Sequence, residues 1–210
     1  MTGSDRLTVQ VRDLRPDELP AVVSLLARGM RDNPLPIAAF GNDPERRLRC
    51  VEALFQSLFR VMRAQTPLVA MDGETLVGAT GIAPPGTCQP TVSQTLSMLP
   101  SLMPLGPRPL VRLIGWTGKW RALDPRETHS HLGPLAVDAR LRGRGIGSQI
   151  LTEYCRRLDL TRTTAYLETE TEDNVRLYER FGFNVVAEQR VLGCPNWFMV
   201  RPSCSTHGRC

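Results

Sequence analysis

Apolar and polar residues change their spacing several times along this chain, and each change marks a change of element. Leu7, Val9 and Val11 alternate with polar neighbours, the period of a strand with one buried face, so a first strand is predicted over 7–11. From Pro16 the period lengthens. Leu19, Val22, Val23, Leu26 and Met30 fall on one helical stripe behind a proline that suits a first turn. Pro44 opens a second helix in the same way, with Val51, Leu54, Phe55, Leu58, Phe59 and Met62 facing inward. Between the two helices, 31–43 carries Asp32-Asn33-Pro34 and reads as a loop. Strand character returns over 67–71 and 75–83, joined at Asp72-Gly73, a hairpin signal.

After Ala83-Pro84-Pro85-Gly86 the pattern breaks. Residues 87–128 are rich in Leu and Met and are interrupted by Pro100, Pro104, Pro107 and Pro109, so one or two short helices are expected. With Trp116 and Trp120 this stretch suits a helical insertion or lid over a pocket, or a packing or oligomer surface; its arginines and prolines argue against a membrane hairpin. An apolar run over 132–137 then leads into Arg142-Gly143-Arg144-Gly145-Ile146-Gly147. Beyond it Ile146, Ile150, Leu151, Tyr154 and Leu158 repeat at helical spacing.

A strand that runs into a glycine-rich turn and then a helix makes an anion cradle. Without Cβ atoms at 143, 145 and 147 the backbone can take positive φ and approach a ligand closely, while the unpaired helix N–H groups and the macrodipole favour a phosphate. Two familiar cradles do not fit. The P-loop needs a lysine between its last glycine and the hydroxyl residue, and here Ser148 follows Gly147 directly. The dinucleotide fingerprint needs glycine where Ser148 or Ile150 stands. A plain left-handed turn at a strand-to-helix junction would need fewer glycines.

Composition narrows the class. At 210 residues, 41% hydrophobic and 22% charged, the chain can bury one sizeable core, and 1–202 reads as a single domain with 203–210 as a flexible tail. The net charge of +5 invites a nucleic-acid reading, but the basic residues are scattered and Lys119 is the only lysine, so no nucleic-acid partner is expected. Arg46, Arg47 and Arg49 lie among Glu45 and Glu52 and read as a solvated helix face. Cysteines 50, 88, 155, 194, 204 and 210 include no CxxC pair and no histidine at zinc spacing; no metal is expected, and Cys155 reads as a buried free thiol. No apolar signal core or membrane-length run appears, so a cytoplasmic protein without membrane attachment is expected.

Arg142-x-x-Gly145-x-Gly147 resembles the R/Q-x-x-G-x-G/A loop that binds the acetyl-CoA pyrophosphate in the GNAT superfamily of N-acetyltransferases. The likeness extends on both sides. Residues 132–137 look like that family's fourth strand, 149–159 like its central helix, 166–169 like its fifth strand, and Asn174 through Phe183 like its tyrosine-bearing helix and closing Gly-Phe. The resemblance implies an α/β fold, a mixed sheet of six to seven strands flanked by helices, in which the fourth and fifth strands splay apart. It implies acetyl-CoA as acetyl donor, bound by Leu135, Ala136, Val137, Arg142, Gly143, Arg144, Gly145, Ile146, Gly147, Ser148, Asn174 and Tyr178, with Tyr178 protonating the departing thiolate. Many members carry asparagine one turn before Asn174, where this chain has Thr171.

For the base, His131 and Glu168 are the candidates, with His129 and Glu170 as neighbouring alternatives. No cysteine sits in a recognisable nucleophile–base arrangement, which favours direct attack by the amine in a ternary complex. Leu167-Glu168-Thr169 and Pro195 through Arg201 resemble the branch containing puromycin N-acetyltransferase, which implies a small-molecule amine acceptor. A protein or peptide acceptor and a non-catalytic acyl-CoA sensor stay open as alternatives. Dimerisation is common in the superfamily, so a homodimer is compatible with the resemblance.

Overall fold

The computed structural model describes residues 7–203. Its strands are β1 (Gln10–Asp13), β2 (Leu68–Asp72), β3 (Thr75–Ala83), β4 (Ser130–Val137), β5 (Ala165–Thr169), β6 (Asn184–Val191) and β7 (Cys194–Arg201). They form one sheet in the order β1-β2-β3-β4-β5-β7-β6. Neighbours are antiparallel except β4 and β5, which run parallel, so the sheet is mixed as expected. The helices are α1 (Leu19–Met30), α2 (Pro34–Phe40), α3 (Pro44–Val61), α4 (Val92–Leu102), α5 (Pro107–Leu123), α6 (Ile146–Thr161) and α7 (Glu172–Glu179).

Because successive strand residues point to opposite faces, the sheet divides the apolar residues into two cores. On one face Val22, Leu26, Phe40, Val51 and Trp116 pack with Val69, Ala79, Ala136, Tyr166 and Phe198. On the other, α6 lays Ile146, Ile150, Leu151, Tyr154 and Leu158 on Leu68, Ala70, Val77, Leu132 and Leu167, and Tyr178 and Phe183 belong to this second core. Burying both faces of β2 and β5 explains their near-continuous apolar runs.

Pairing between β4 and β5 is short. Ser130 pairs with Ala165 and His131 with Tyr166, after which the strands part, while β4 stays paired with β3 through Val137. Pro134 falls where the β3–β4 register slips, between the Ile82–Leu132 and Thr80–Leu135 pairs, a place where a missing N–H costs no ladder bond. Close by, a side chain on Gly133 would meet the Gly81 carbonyl oxygen at 3.3 Å, so two glycines let the backbones approach there.

Helix α1 also rests backbone-first on β4. A Cβ on Gly29 would lie 2.4 Å from the Ala136 Cβ. Gly29→Ala is therefore expected to destabilise the fold: overpacking costs about 1–3 kcal/mol, against about 1 kcal/mol gained in helix propensity, and a clash between two backbone-anchored atoms puts the cost at the upper end. A lower urea midpoint at unchanged m-value checks it.

Several local expectations change. Strand β1 begins at Gln10, where pairing with Met71 starts; before it the Gln149 side chain, bonded to the Leu7 carbonyl and the Val9 N–H, takes the place of a strand neighbour. The 31–43 stretch read as a loop contains α2, because Pro34 and Pro36 occupy a first turn that needs no N–H donors, and Leu35, Ala39 and Phe40 bury its face. Arg47 is not on a solvated face: it is buried, donating to the Arg31 and Gly41 carbonyls and to Asp32 at 2.5 Å, and so ties both ends of α2 to α3. Arg46 and Arg49 are exposed as expected.

Residues 87–128 hold two helices, of which α5 is longer than foreseen at 17 residues. Trp116 meets Trp120 edge to face, and Trp120 donates its indole N–H to Asn196 at 3.1 Å, so the pair packs the segment onto β7. Cys155 is buried and free. No helix among the described residues is long and apolar enough to cross a membrane. The polar N-terminal stretch, Cys204, Cys210 and all of the tail but Ser203 lie outside the described residues.

Candidate active site

The glycine loop joins β4 to α6. After Val137 the Asp138 carboxylate accepts from the Arg140 backbone N–H and guanidinium, closing a tight turn and lying well below the usual carboxylate range because of those bonds. Gly143 and Gly145 both take φ of +80°, and Gly145 is the N-cap of α6. Among the described residues no side chain caps α6, so its first N–H groups emerge uncapped at the end of β4. Nothing lies within 4 Å of a Cβ built on Gly143, and one on Gly147 meets only Val137 Cγ2 at 3.8 Å. Oriented donors, bare backbone and the neighbouring Arg142 and Arg144 fit a diphosphate.

A cavity of about 330 Å³, lined by Leu25, Gly29, Val137, Asp138, Arg140 and Arg142, runs between α1 and the end of β4 beside this loop. A larger recess of about 460 Å³ lies between α2, α5 and the β6–β7 turn, lined by Ile37, Arg112 and Leu192; no sequence-predicted site residue lines it.

Tyr178 lies on the α6 face, 7% exposed, with its ring tilted against Phe183 at 5.9 Å. The end of its helix is held firmly. Gly182 turns the chain at φ +83°, the Phe183 N–H bonds back to the Tyr178 carbonyl at 3.2 Å, and Arg201 donates to the Phe181 carbonyl at 2.9 Å while pairing with Asp159 at 2.8 Å. Burial pushes the phenol up, so it is protonated at neutral pH. Asn174 lies one turn earlier on α7, half-buried, and Thr171 is the helix N-cap.

The two predicted bases meet. His131, on the first paired rungs of β4, places Nε2 2.8 Å from Glu168 Oε2, and the Glu168 side chain is almost fully buried. They lie on the face of Tyr166, opposite Tyr178. Burial works against charge on His131, but the Glu168 carboxylate and the Cys88 thiol outweigh it and push the imidazole up to about 10. Glu170, just past β5, is 7% exposed; burial raises its carboxyl despite a side-chain bond from Asn33, and its charge is felt at Tyr178.

Sequence reasoning missed Cys88 and Asp124. Asp124 stands 3.2 Å from His129, whose imidazole it pushes up to about 10 together with Cys88, and Cys88 contacts Asp124 at 3.4 Å. No histidine stands at zinc spacing from Cys88 along the sequence; the fold supplies its histidine neighbours. Cys88 follows β3, Asp124 caps α5, and His129 and His131 straddle the start of β4, so only the fold brings them together; the one local signal was His129-x-His131 at strand spacing.

Two parallel strands thus part beside an uncapped, glycine-flanked helix N-terminus, with a buried tyrosine on the α6 face. The chain belongs to the acetyltransferase (GNAT) family, whose model matches residues 38–183, and it is an acyltransferase of that family, for which acetyl-CoA is the general cosubstrate. Solved structures agree on the fold. A histone acetyltransferase HPA2 and related acetyltransferase from Corynebacterium glutamicum superposes with a TM-score of 0.72 at 19% identity over 96% of this chain and 100% of that one. The ribosomal-protein-S18-alanine N-acetyltransferase from Escherichia coli gives 0.56 at 14% over 96% and 99%, and a Drosophila melanogaster polyamine N-acetyltransferase 0.59 at 15% over 93% and 100%. One named acceptor is a protein and another a polyamine, so the shared fold leaves the acceptor open.

Proposed function

We propose that this chain is a cytoplasmic enzyme that acetylates a primary amine of a small molecule by direct attack in a ternary complex. The observation that carries the reading is the parting of β4 and β5 after His131, beside the uncapped N-terminus of α6 and with Tyr178 on one face and acidic residues on the other. In this reading Gly143 to Ser148, with Arg142 and Arg144, hold the diphosphate, and the free edge of β4 at Leu135, Ala136 and Val137 pairs with the pantetheine arm. Asn174 adds a side-chain bond to the same arm.

When bound, acetyl-CoA supplies the acetyl group: the amine nitrogen bonds to the thioester carbon and the carbon–sulfur bond breaks. Tyr178 gives its proton to the leaving sulfur. On the opposite face Glu170 takes the proton of the attacking amine, because its carboxyl is raised toward working pH and the Glu168 carboxylate is already engaged by His131. In this reading the acceptor approaches from the sheet face that carries His131 and Glu168, the face on which α2, α4 and α5 pack. The helical segment within 87–128, which covers that face, favours a small acceptor over a protein segment.

A thiol-release assay over small amines, amino-acid amides and peptides tests the reading; turnover confined to peptides overturns the small-molecule acceptor. Glu170→Gln is expected to lower kcat by about 10²-fold or more, the scale of general base catalysis. The sign with pH follows from the raised carboxyl. The base form exists above its pKa, so the wild-type rate climbs with pH through a value above the ordinary carboxylate range, and that limb disappears in the variant.

A further inference from the structure

Four potential ligands from three separate stretches meet at the base of β4. One donor atom from each of Cys88, Asp124, His129 and His131 lies within 4.8 Å of the others. Their outer contacts are already in place. The Glu127 carbonyl, 2.7 Å from Nδ1 of His129, can only accept, so Nδ1 carries the proton and Nε2 is left for the cluster. That Nε2 stands 3.2 Å from Asp124 Oδ1, yet both atoms are buried and neither makes an aligned hydrogen bond. With the imidazole charged, a buried proton faces Asp124 without an aligned hydrogen bond, and a shared cation in place of that proton would bond both atoms. His131 repeats the pattern: Nε2 is held by Glu168 at 2.8 Å, which leaves its other ring nitrogen as the ligand. A ligating imidazole whose second nitrogen is fixed by a carbonyl or a carboxylate is the usual outer shell of a metal centre.

A nucleophilic triad is the other use of Cys, His and Asp. It requires thiol and carboxylate on opposite nitrogens of the ring. Here Asp124 faces Nε2 and also contacts the Cys88 sulfur at 3.4 Å, while Nδ1 belongs to Glu127. Around His131 the Cys88 thiol and Glu168 do flank the ring, but His129 and Asp124 crowd the same thiol, so four donors converge on one point.

We propose that Cys88, Asp124, His129 and His131 form a four-coordinate site for a divalent transition-metal cation, zinc above all. A thiolate, two imidazoles and a carboxylate are a donor set that zinc accepts tetrahedrally. With Zn–S near 2.3 Å and Zn–N and Zn–O of about 2.0–2.2 Å, neighbouring donors in a tetrahedron lie about 3.3–3.7 Å apart. The separations of 3.2 and 3.4 Å are already of that size. Four protein ligands make the site structural: it pins both ends of the α4–α5 segment to the start of β4, and Glu168 orients His131 from outside. The inference stands apart from acyl transfer, since metal binding is read without acetyl-CoA.

The test is cobalt(II) titration of chelator-treated, tag-free protein. The expected result is one cobalt per chain, with thiolate-to-cobalt charge-transfer absorption and the intense visible bands of a tetrahedral ion, both reversed by added zinc. Cys88→Ser loses the charge-transfer band, and Glu168→Gln binds cobalt about 10–100-fold more weakly. If Cys88→Ser does not fold, Asp124→Asn keeps the thiolate band but with weakened affinity. Failure of the wild type to take up cobalt overturns the site. So does a charge-transfer band that survives in Cys88→Ser, which would place the metal on a different thiolate.

Discussion

Tyr178→Phe is expected to lower kcat by about 10²–10⁴-fold, the usual contribution of a positioned general acid, with affinity for acetyl-CoA unchanged. The substitution removes one oxygen and keeps the ring. That ring is what packs on Phe183, whereas the hydroxyl has no hydrogen-bond partner among the described residues, so the fold loses nothing with it. Without the phenol the sulfur must leave as thiolate, and the cost falls on the transition state alone. An added thiol-activated donor with a better leaving group should recover much of the lost rate. If Tyr178 were only a core residue, kcat would stay within a few-fold of wild type, and the assignment of the acid would be wrong.

Gly147→Asp is expected to abolish productive acetyl-CoA binding, raising KM for it by about 10³-fold, while leaving the protein folded. A carboxylate about 4 Å from one phosphate charge costs about 4 kcal/mol at an effective dielectric of 20. The fold itself has room: a Cβ at 147 meets only Val137 Cγ2 at ordinary contact distance, and its φ is not left-handed. In the first turn of α6 an aspartate even complements the helix dipole, a gain of about 0.3–1 kcal/mol. Stability and binding should therefore move in opposite directions. A urea midpoint equal to or above wild type, together with a collapsed kcat/KM, is the expected pair of results; unchanged KM would remove the diphosphate from this loop.

How much of this was legible beforehand follows the range of the interactions. The strand–glycine–helix junction and the helical stripes of α1, α3 and α6 depend on residues within a turn of one another, and periodicity exposes them. The apolar run over 132–137 was legible as a strand, whereas the register slip that accommodates Pro134 depends on the pairing with β3. Helix α2 was hidden because prolines at 34 and 36 look like loop markers, although in a first turn they leave no donor unsatisfied. Arg47 was misread for a related reason: its charge is balanced by carbonyls and Asp32 far from the pattern of its own helix.

At the site, His131 and Glu168 were named separately from two strands, and only the β4–β5 pairing makes them partners. The raised carboxyl of Glu170 comes from burial, which no local pattern encodes. Cys88 and Asp124 bracket a helical segment and meet through tertiary contact, so spacing rules written for adjacent ligands pass over them.

The most direct measurement of the central claim is a calorimetric titration of the wild-type protein with acetyl-CoA, run beside Gly147→Asp. One saturable site per chain, lost in the variant, is the result predicted for a diphosphate held by the N-terminus of α6. No heat of binding in the wild type, or equal binding by both proteins, would contradict it.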